Sequence, residues 1–256
     1  MHAGTVTLTA IPGLPLFEPG DDLSGIVAAA LRRCDLMLRD RDVIVVAQKI
    51  VSKCEGRYVD LATVTPSARA VELAAAVGKD PRVVEVILSE SEEVVRHREG
   101  VLIVAHRLGF VMANAGVDQS NVEQRVSGER VLLLPQDPDA SCAALKARLD
   151  QAFGANVAVL MNDSFGRPWR NGVVGVAIGS AGLPALLNQI GQPDLFGRRM
   201  RVTEVALADE VAAAASLLMG QTDAALPVVH VRGLTWTASA TNALALVRPK
   251  AQDMFR

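Results

Sequence analysis

Apolar and polar positions alternate along residues 5–10, the period of a half-buried strand. The alternation stops at Ile11-Pro12-Gly13-Leu14-Pro15-Leu16, where two prolines and a glycine predict a loop. Asp21 and Asp22 offer side-chain caps for a helix running to about Cys34. Residues 43–47 form an unbroken apolar run of strand length. Helices are predicted over residues 66–77 and 81–98. The second has Asp80 as its N-cap, Pro81 at its first position, and Val84, Ile87, Leu88, Ser91 and Val95 on one stripe. That pattern puts Glu90, Glu92 and Glu93 on the wet face and His97 at the surface. Strands follow at residues 101–105, 110–113, 130–134, 156–161 and 173–178. Ser141 is placed to cap a helix over 142–153, and 200–205 reads as extended. An Ala-rich helix starts near Asp209 and ends at Met219, with Gly220 as its C-cap. A last strand covers 228–231, and 235–256 reads as a short helix and a loose end. Strands and helices alternate, so the expected class is α/β, with mixed α+β sheets as the variant.

Half of the 256 residues are hydrophobic but only 4% are aromatic, so the core is built from Ala, Val and Leu. Twenty-six basic residues against 28 acidic ones leave a formal charge of -2, giving no reason to expect nucleic acid as the main partner. Cys34, Cys54 and Cys142 lie far apart, without a CxxC pair. An odd count with no signal-peptide pattern fits a reducing cytoplasm. No apolar run reaches the roughly 18 residues of a membrane span. The nearest, 206–219, carries Asp209 and Glu210.

Three polar clusters stand out against this apolar background. The run beginning at Val111 breaks at Asn114-Ala115-Gly116 and is followed by Asp118, Ser120, Asn121 and Glu123. The strand ending at Met161 leads into Asn162-Asp163-Ser164-Phe165-Gly166-Arg167-Pro168-Trp169-Arg170. The helix ending at Met219 is followed by Gln221, Thr222 and Asp223. Such residues suit an Asx turn or a cap as well as a phosphate or metal site. In α/β proteins ligands gather beyond the carboxyl ends of strands. The donors are hard oxygens, and His2, His97, His106 and His230 show no metal-binding spacing. A metal here would be Mg²⁺ or Mn²⁺, bound together with phosphates. Lys49 and Lys53 follow a strand and lie four apart, although no GxxxxGK[ST] loop is present. A lysine reaches phosphate as a flexible point charge and does not need that motif. Arg167 and Arg170 could clamp a phosphate or carboxylate. Gly179 and Gly182 lack the GxGxxG order, so neither a P-loop nor a Rossmann domain is expected. No nucleophile–base pattern competes, and nucleotide or phosphoryl chemistry leads among enzyme readings.

The strings G-L-P-L at 13–16, I-V-S-K-C-E-G at 50–56, N-A-G-V-D-Q-S-N-V-E at 114–123 and N-D-S-F-G-R-P-W-R-N-G-V-V-G-V-A-I-G at 162–179 resemble one family. D-L-F-G-R at 194–198, A-D-E at 208–210 and L-L-M-G-Q at 217–221 continue it in the same order. It is the coenzyme F420-0:L-glutamate ligase family, the γ-glutamyl ligases of deazaflavin cofactor biosynthesis. The resemblance implies one ligase unit over residues 1–256, made of two intimately packed α/β subdomains. Candidate boundaries are 56–66 and 171–199. It also implies a homodimer with each active site near the subunit interface.

The implied reaction uses GTP to activate the terminal carboxylate of F420-0 as an acyl phosphate, which L-glutamate attacks. Further γ-linked glutamates can follow. By the same resemblance Pro12, Gly13, Leu14 and Pro15 contact the nucleotide, as do Gln48, Lys49, Lys53 and Asn121. The run Met219, Gly220, Gln221, Thr222, Asp223, Ala224, Ala225 and Leu226 completes the nucleotide set. Asp118, Asp163, Ser164 and Gln221 hold Mg²⁺ or Mn²⁺, with room for a monovalent cation. Lys53, Asp118, Asp163 and Arg167 form the expected catalytic set. Gln48-Lys49 stands where relatives often carry small hydroxyl residues, Asn162 where many have threonine, and Gln221 where some have glutamate. Two other readings remain: a related carboxylate–amine ligase with another acceptor, and a nucleotide-binding regulatory protein that no longer ligates.

Overall fold

The computed structural model describes residues 4–122 and 129–254. Its first half contains β1 (Thr7–Ala10), α1 (Leu23–Arg33), β2 (Val43–Ala47), α2 (Gln48–Cys54), β3 (Tyr58–Asp60), α3 (Ala68–Val77), α4 (Pro81–Ser89), β4 (Ser91–Arg98), β5 (Val101–His106) and β6 (Val111–Ala113). The second contains β7 (Arg130–Leu132), α5 (Pro138–Phe153), β8 (Ala158–Arg167), β9 (Arg170–Ala181), β10 (Leu187–Asn188), β11 (Glu204–Val205), α6 (Leu207–Met219) and β12 (Val228–Arg232). The larger sheet has the order β1-β12-β2-β8-β9, in which only β2 and β8 run parallel. Strict alternation along β2 sends Ile44 and Val46 to one face and Val43 and Val45 to the other. The first face packs on α1 and α5, through Val27, Leu31, Leu145 and Leu149. The second packs on α6 through Ala208, Val211, Ala212 and Ala215. The small residues of α6 matter, because a Cβ on Gly175 of β9 would stand 2.5 Å from the Ala212 carbonyl oxygen. With both faces covered, β2 reads as a continuous apolar run, as expected for a central strand.

A second apolar cluster joins α3 and α4 to β5 through Leu73, Val77, Val84, Ile87, Leu102 and Val104. Its sheet, β4-β5-β6, is antiparallel. The helix expected over 81–98 therefore ends at Ser89, with Asp80 and Pro81 in their expected capping places. Residues 91–98 are β4, paired with β5 from Ser91↔His106 to Arg98↔Val101. Pairing to an apolar neighbour outweighs the helical period, and Glu99-Gly100 closes the hairpin with Gly100 at φ +81°.

Glu90 is not on a wet face. It is buried and accepts bonds from Arg57 Nη2 (3.1 and 3.2 Å) and Arg107 Nε (3.1 Å), with His106 Nε2 at 3.5 Å. Burial pushes its carboxyl up, but His106, Arg107 and Arg57 together hold it down at about 2. Arg57 also donates to the Leu134 carbonyl, so this knot ties the small sheet to the segment entering α5.

The cap of α5 is Asp137, which accepts from Ala140 N–H at 3.0 Å, with Pro138 opening the helix. Ser141, the expected cap, donates instead to Glu55 at 2.6 Å. Within 200–205 only Glu204–Val205 is a strand. The end of the chain carries short 3₁₀ turns at Ala243–Leu246 and Lys250–Gln252. Among the described residues no helix is long and apolar enough to cross a membrane.

Candidate active site

β2 runs directly into α2, so Gln48 and Lys49 open the helix and Lys53 follows Lys49 by one turn. Gln48 is buried, and its Oε1 accepts the Ser52 hydroxyl at 2.9 Å. That bond turns the amide nitrogen toward the Asp163 carboxylate, which Gln48 supports. Ser52 was not singled out from the sequence, yet it fixes the orientation of a cavity-lining residue.

Asp118 is placed by backbone strain and backbone pairing. Asn114, Ala115 and Gly116 are all left-handed, at φ +52°, +53° and +65°. A buried Ala115 in that region costs about 1–2 kcal/mol, and the Asn114 side chain offsets part of it by accepting Leu102 N–H at 3.2 Å. A Cβ on Gly116 would lie 2.8 Å from Leu134. Past this turn, Asp118 exchanges two backbone bonds with Leu132, at 3.0 and 2.9 Å. Its carboxylate then receives Ser120 N–H (2.7 Å), Ser120 Oγ (2.8 Å) and Lys49 Nζ (2.8 Å). Burial pushes the Asp118 carboxyl up, but the Lys49 and Ser120 bonds override it and hold it below its ordinary value. Glu123, the last member of this cluster, lies outside the described residues.

The second cluster does not lie beyond a strand end, as its pattern suggests, but within the β8–β9 hairpin. β8 pairs with β2 only as far as Ala47↔Asn162, while its pairing with β9 continues to Arg167↔Arg170. Asp163 and Ser164 stand at the root of this overhang. Burial, reinforced by the Asp118 charge, pushes the Asp163 carboxyl from 3.8 up to about 6, against the opposing Ser164 N–H, Lys49 and Gln48.

The third cluster closes over the other two. Ser164 Oγ donates to Gln221 Oε1 at 3.0 Å, and Asn121 Nδ2 donates to the Thr222 carbonyl at 3.2 Å. All three clusters thus meet within one chain, around a cavity of about 740 Å³. Its wall includes Leu14, Pro15, Gln48, Lys49, Lys53, Asp118 and Asn121 of the expected residues. Asp163, Ser164, Met219, Gly220, Gln221, Thr222, Asp223, Ala225 and Leu226 complete that set. Pro12, Gly13 and Ala224 stand beside the wall rather than on it; Arg33 holds the Pro12 and Gly13 carbonyls at 3.3 and 2.9 Å. Arg167 is nearer the hairpin tip, donating to the Asn171 carbonyl at 3.2 Å, and does not line the cavity. Tyr58 and Arg130 do line it, the guanidinium 4.2 Å over the ring. Both stand outside the three polar clusters that the sequence displays.

Among the described residues no group of three or more His, Cys, Asp and Glu side chains forms a ready metal cage. The donors present are two carboxylates, a hydroxyl and an amide oxygen. This hard-oxygen set fits Mg²⁺ or Mn²⁺ that takes its remaining ligands from phosphates and water. Asp163 is raised chiefly by burial and further by the Asp118 charge, so a cation between the two would favour both ionised carboxylates.

Fold and site define a mixed α/β protein outside the P-loop and Rossmann classes, with an oxygen-lined cavity at the end of the parallel pair β2 and β8. A profile described as F420-0:Gamma-glutamyl ligase matches residues 13–233. The coenzyme F420:L-glutamate ligase of Methanothermobacter thermautotrophicus is 43% identical over 253 residues, covering 98% of this chain and 99% of its own length. Namesakes from Methanocaldococcus jannaschii (40% identical; 95% of this chain, 94% of theirs) and Methanopyrus kandleri (42%; 98% of each) are similar throughout. The chain belongs to the F420-0:Gamma-glutamyl ligase family.

Proposed function

We propose that this chain is a GTP-dependent ligase that joins L-glutamate to the terminal carboxylate of coenzyme F420-0, a reaction that further γ-linked glutamates can follow. The reading rests on family membership, and one observation supports it above the rest. Asp118, Asp163 and Gln221 come from three distant segments and face one cavity beside Lys49 and Lys53. Its volume of about 740 Å³ suits a nucleotide and a carboxylate arm.

A free carboxylate is a poor electrophile, because its charge repels an incoming amine. Transfer of the γ-phosphoryl group to a carboxylate oxygen breaks the terminal P–O bond of GTP, releases GDP and leaves an acyl phosphate. The neutral amine of L-glutamate then attacks the carbonyl carbon. Phosphate departs with the bonding pair, the nitrogen loses a proton, and an amide remains. Asn121 and the 219–226 run hold the nucleotide, with the 12–15 loop at its edge. Lys53 and Lys49 face the phosphates and offset their charge; the cationic role expected of Arg167 passes to them in this reading. Gln48 keeps Asp163 aimed into the cavity. A divalent ion held by Asp118, Asp163, Ser164 and Gln221 would neutralise the oxygens of the transferred group.

The working unit in this proposal is a homodimer in the cytoplasm. Leu195, Phe196 and Val202 stand almost fully exposed, the kind of apolar surface a second copy would cover, and three free thiols suit a reducing compartment. Light scattering on the purified chain tests the dimer. The activity is tested by incubating it with F420-0, L-glutamate, Mn²⁺ or Mg²⁺, and GTP or ATP, and weighing the product. One or more added glutamyl units, with GTP preferred, is the expected result. Asp118→Asn and Asp163→Asn should stay folded and lose turnover at least ~100-fold. Near-normal ligation by either variant in saturating Mn²⁺ would remove it from the proposed metal site.

A further inference from the structure

Lys49 Nζ lies among three oxygens: Asp118 Oδ2 at 2.8 Å, Ser120 Oγ at 2.9 Å and the Ser120 carbonyl at 3.0 Å. An ammonium has three protons and no lone pair, so these acceptors use its whole bonding capacity. The cradle is built independently of the lysine. Backbone bonds to Leu132 fix Asp118, and the Ser120 N–H and hydroxyl return to the two carboxylate oxygens. A carboxylate, a hydroxyl and a carbonyl oxygen within three residues are also the donors a hard divalent ion takes. Lys49 Nζ therefore stands where positive charge is wanted, on a tether that starts next to Gln48.

We propose that the Lys49 ammonium is a built-in placeholder for the divalent cation at Asp118, displaced from its oxygen cradle when the metal binds. The proposal rests on the metal reading given above. Two carboxylates facing one cavity repel each other, and a tethered cation offsets that repulsion at high effective concentration. The same tether makes metal binding a competition. The protein without nucleotide holds divalent ions weakly, and a metal that wins Asp118, the ligand it shares with the cradle, frees the ammonium to face phosphate oxygens. Lys49 is thereby a positioning and gating residue whose two states belong to two stages of ligand loading.

Two measurements on the purified full chain test this without nucleotide. Mn²⁺ binding, followed by electron paramagnetic resonance at fixed ionic strength, compares wild type with Lys49→Gln, Lys49→Met, Asp118→Asn and the Lys49→Gln/Asp118→Asn pair. Reductive methylation with mass spectrometry then follows Lys49 of the wild type and of Asp118→Asn with and without Mg²⁺. Both lysine variants should bind Mn²⁺ at least tenfold more tightly than wild type, and the added Asp118→Asn change should erase that gain. Mg²⁺ should raise the labelling rate of Lys49 severalfold in wild type and leave it unchanged in Asp118→Asn. Equal or weaker binding by the lysine variants overturns the placeholder while leaving Asp118 as a ligand. Tighter binding with no metal-induced labelling also overturns it, because Lys49 then acts only through its charge. Wild-type affinity in Asp118→Asn would sink the metal reading itself, and the placeholder with it.

Discussion

Replacing Asp163 by Asn should stabilise the metal-free protein while abolishing its activity. Burial and the neighbouring Asp118 raise the Asp163 carboxyl from 3.8 to about 6. The folded state therefore holds this proton more tightly than the unfolded chain does. Stability falls as pH climbs from 3.8 through 6 and stays lower above that window. At ~1.36 kcal/mol for each tenfold change in proton affinity, the full effect is ~3 kcal/mol. Asp163 borders an open cavity, where water screens part of that cost, so ~1.5 kcal/mol is the figure to test. For a chain of this length it corresponds to a Tm about 3–6 °C higher. Thermal unfolding in excess chelator, from pH 4.5 to 8, should show the variant ahead above pH ~6, with its advantage shrinking toward acid. Saturating Mn²⁺ should then reverse the order, since a ligand that binds only the folded wild type adds ~2.7 kcal/mol at a hundredfold excess over Kd. A variant no more stable than wild type at pH 8 in chelator would refute the claim that this carboxylate is held against its own charge.

Gly116→Ala places a Cβ 2.8 Å from Leu134 in a left-handed residue at φ +65°, so a loss of ~2–3 kcal/mol is expected in urea titrations. Because Asp118 is two residues on, Mn²⁺ affinity should fall as well; unchanged affinity would show that the turn does not position the carboxylate. Glu90→Gln leaves Arg57 and Arg107 without their shared buried anion and should cost ~3 kcal/mol at pH 7. The wild-type carboxyl is held below its ordinary 4.5, at about 2, so its contribution is complete above 4.5 and is lost as pH falls toward 2. The two proteins should therefore converge in stability in acid, as near-ultraviolet circular dichroism would report. A gap that persists at pH 2 would point to lost packing rather than lost charge.

The apolar runs were the most legible part of this chain. Residues 43–47 and the stretch ending at Met161 are buried on two faces, so they show as unbroken hydrophobic segments. Caps written in one residue were legible too, as with Asp22, Asp80 and Gly220. Residues 91–98 were not, because Glu92, Glu93, Arg96 and His97 suit the wet face of a helix as well as an exposed strand. What decides between them is Val101–His106 across a two-residue Glu99-Gly100 turn, and that turn is the hairpin signal in the sequence. The oxygen clusters stood out because short polar residues interrupt an Ala-, Val- and Leu-rich background. Their meeting did not, since it depends on sheet order, on the Asp118–Leu132 bridge and on loop bonds such as Ser164 to Gln221. Ser52 and Arg130 lie one step further out, recognisable only once their neighbours are in place.

The β8–β9 ribbon outgrows the sheet that bears it. At its root, Asn162 is still braced by Ser216 and Met219 of α6, and Asp163 and Ser164 face the cavity. Beyond Phe165, which packs on Phe110, the strand goes on pairing with β9 as far as Arg167↔Arg170, and residues 168–173 are exposed. Mutation therefore meets two different filters along one hairpin. Changes at the root disturb the oxygens on which the chemistry depends, whereas insertions and substitutions at the tip touch no core. The tip can therefore vary in length and sequence while the oxygens at its base stay in place.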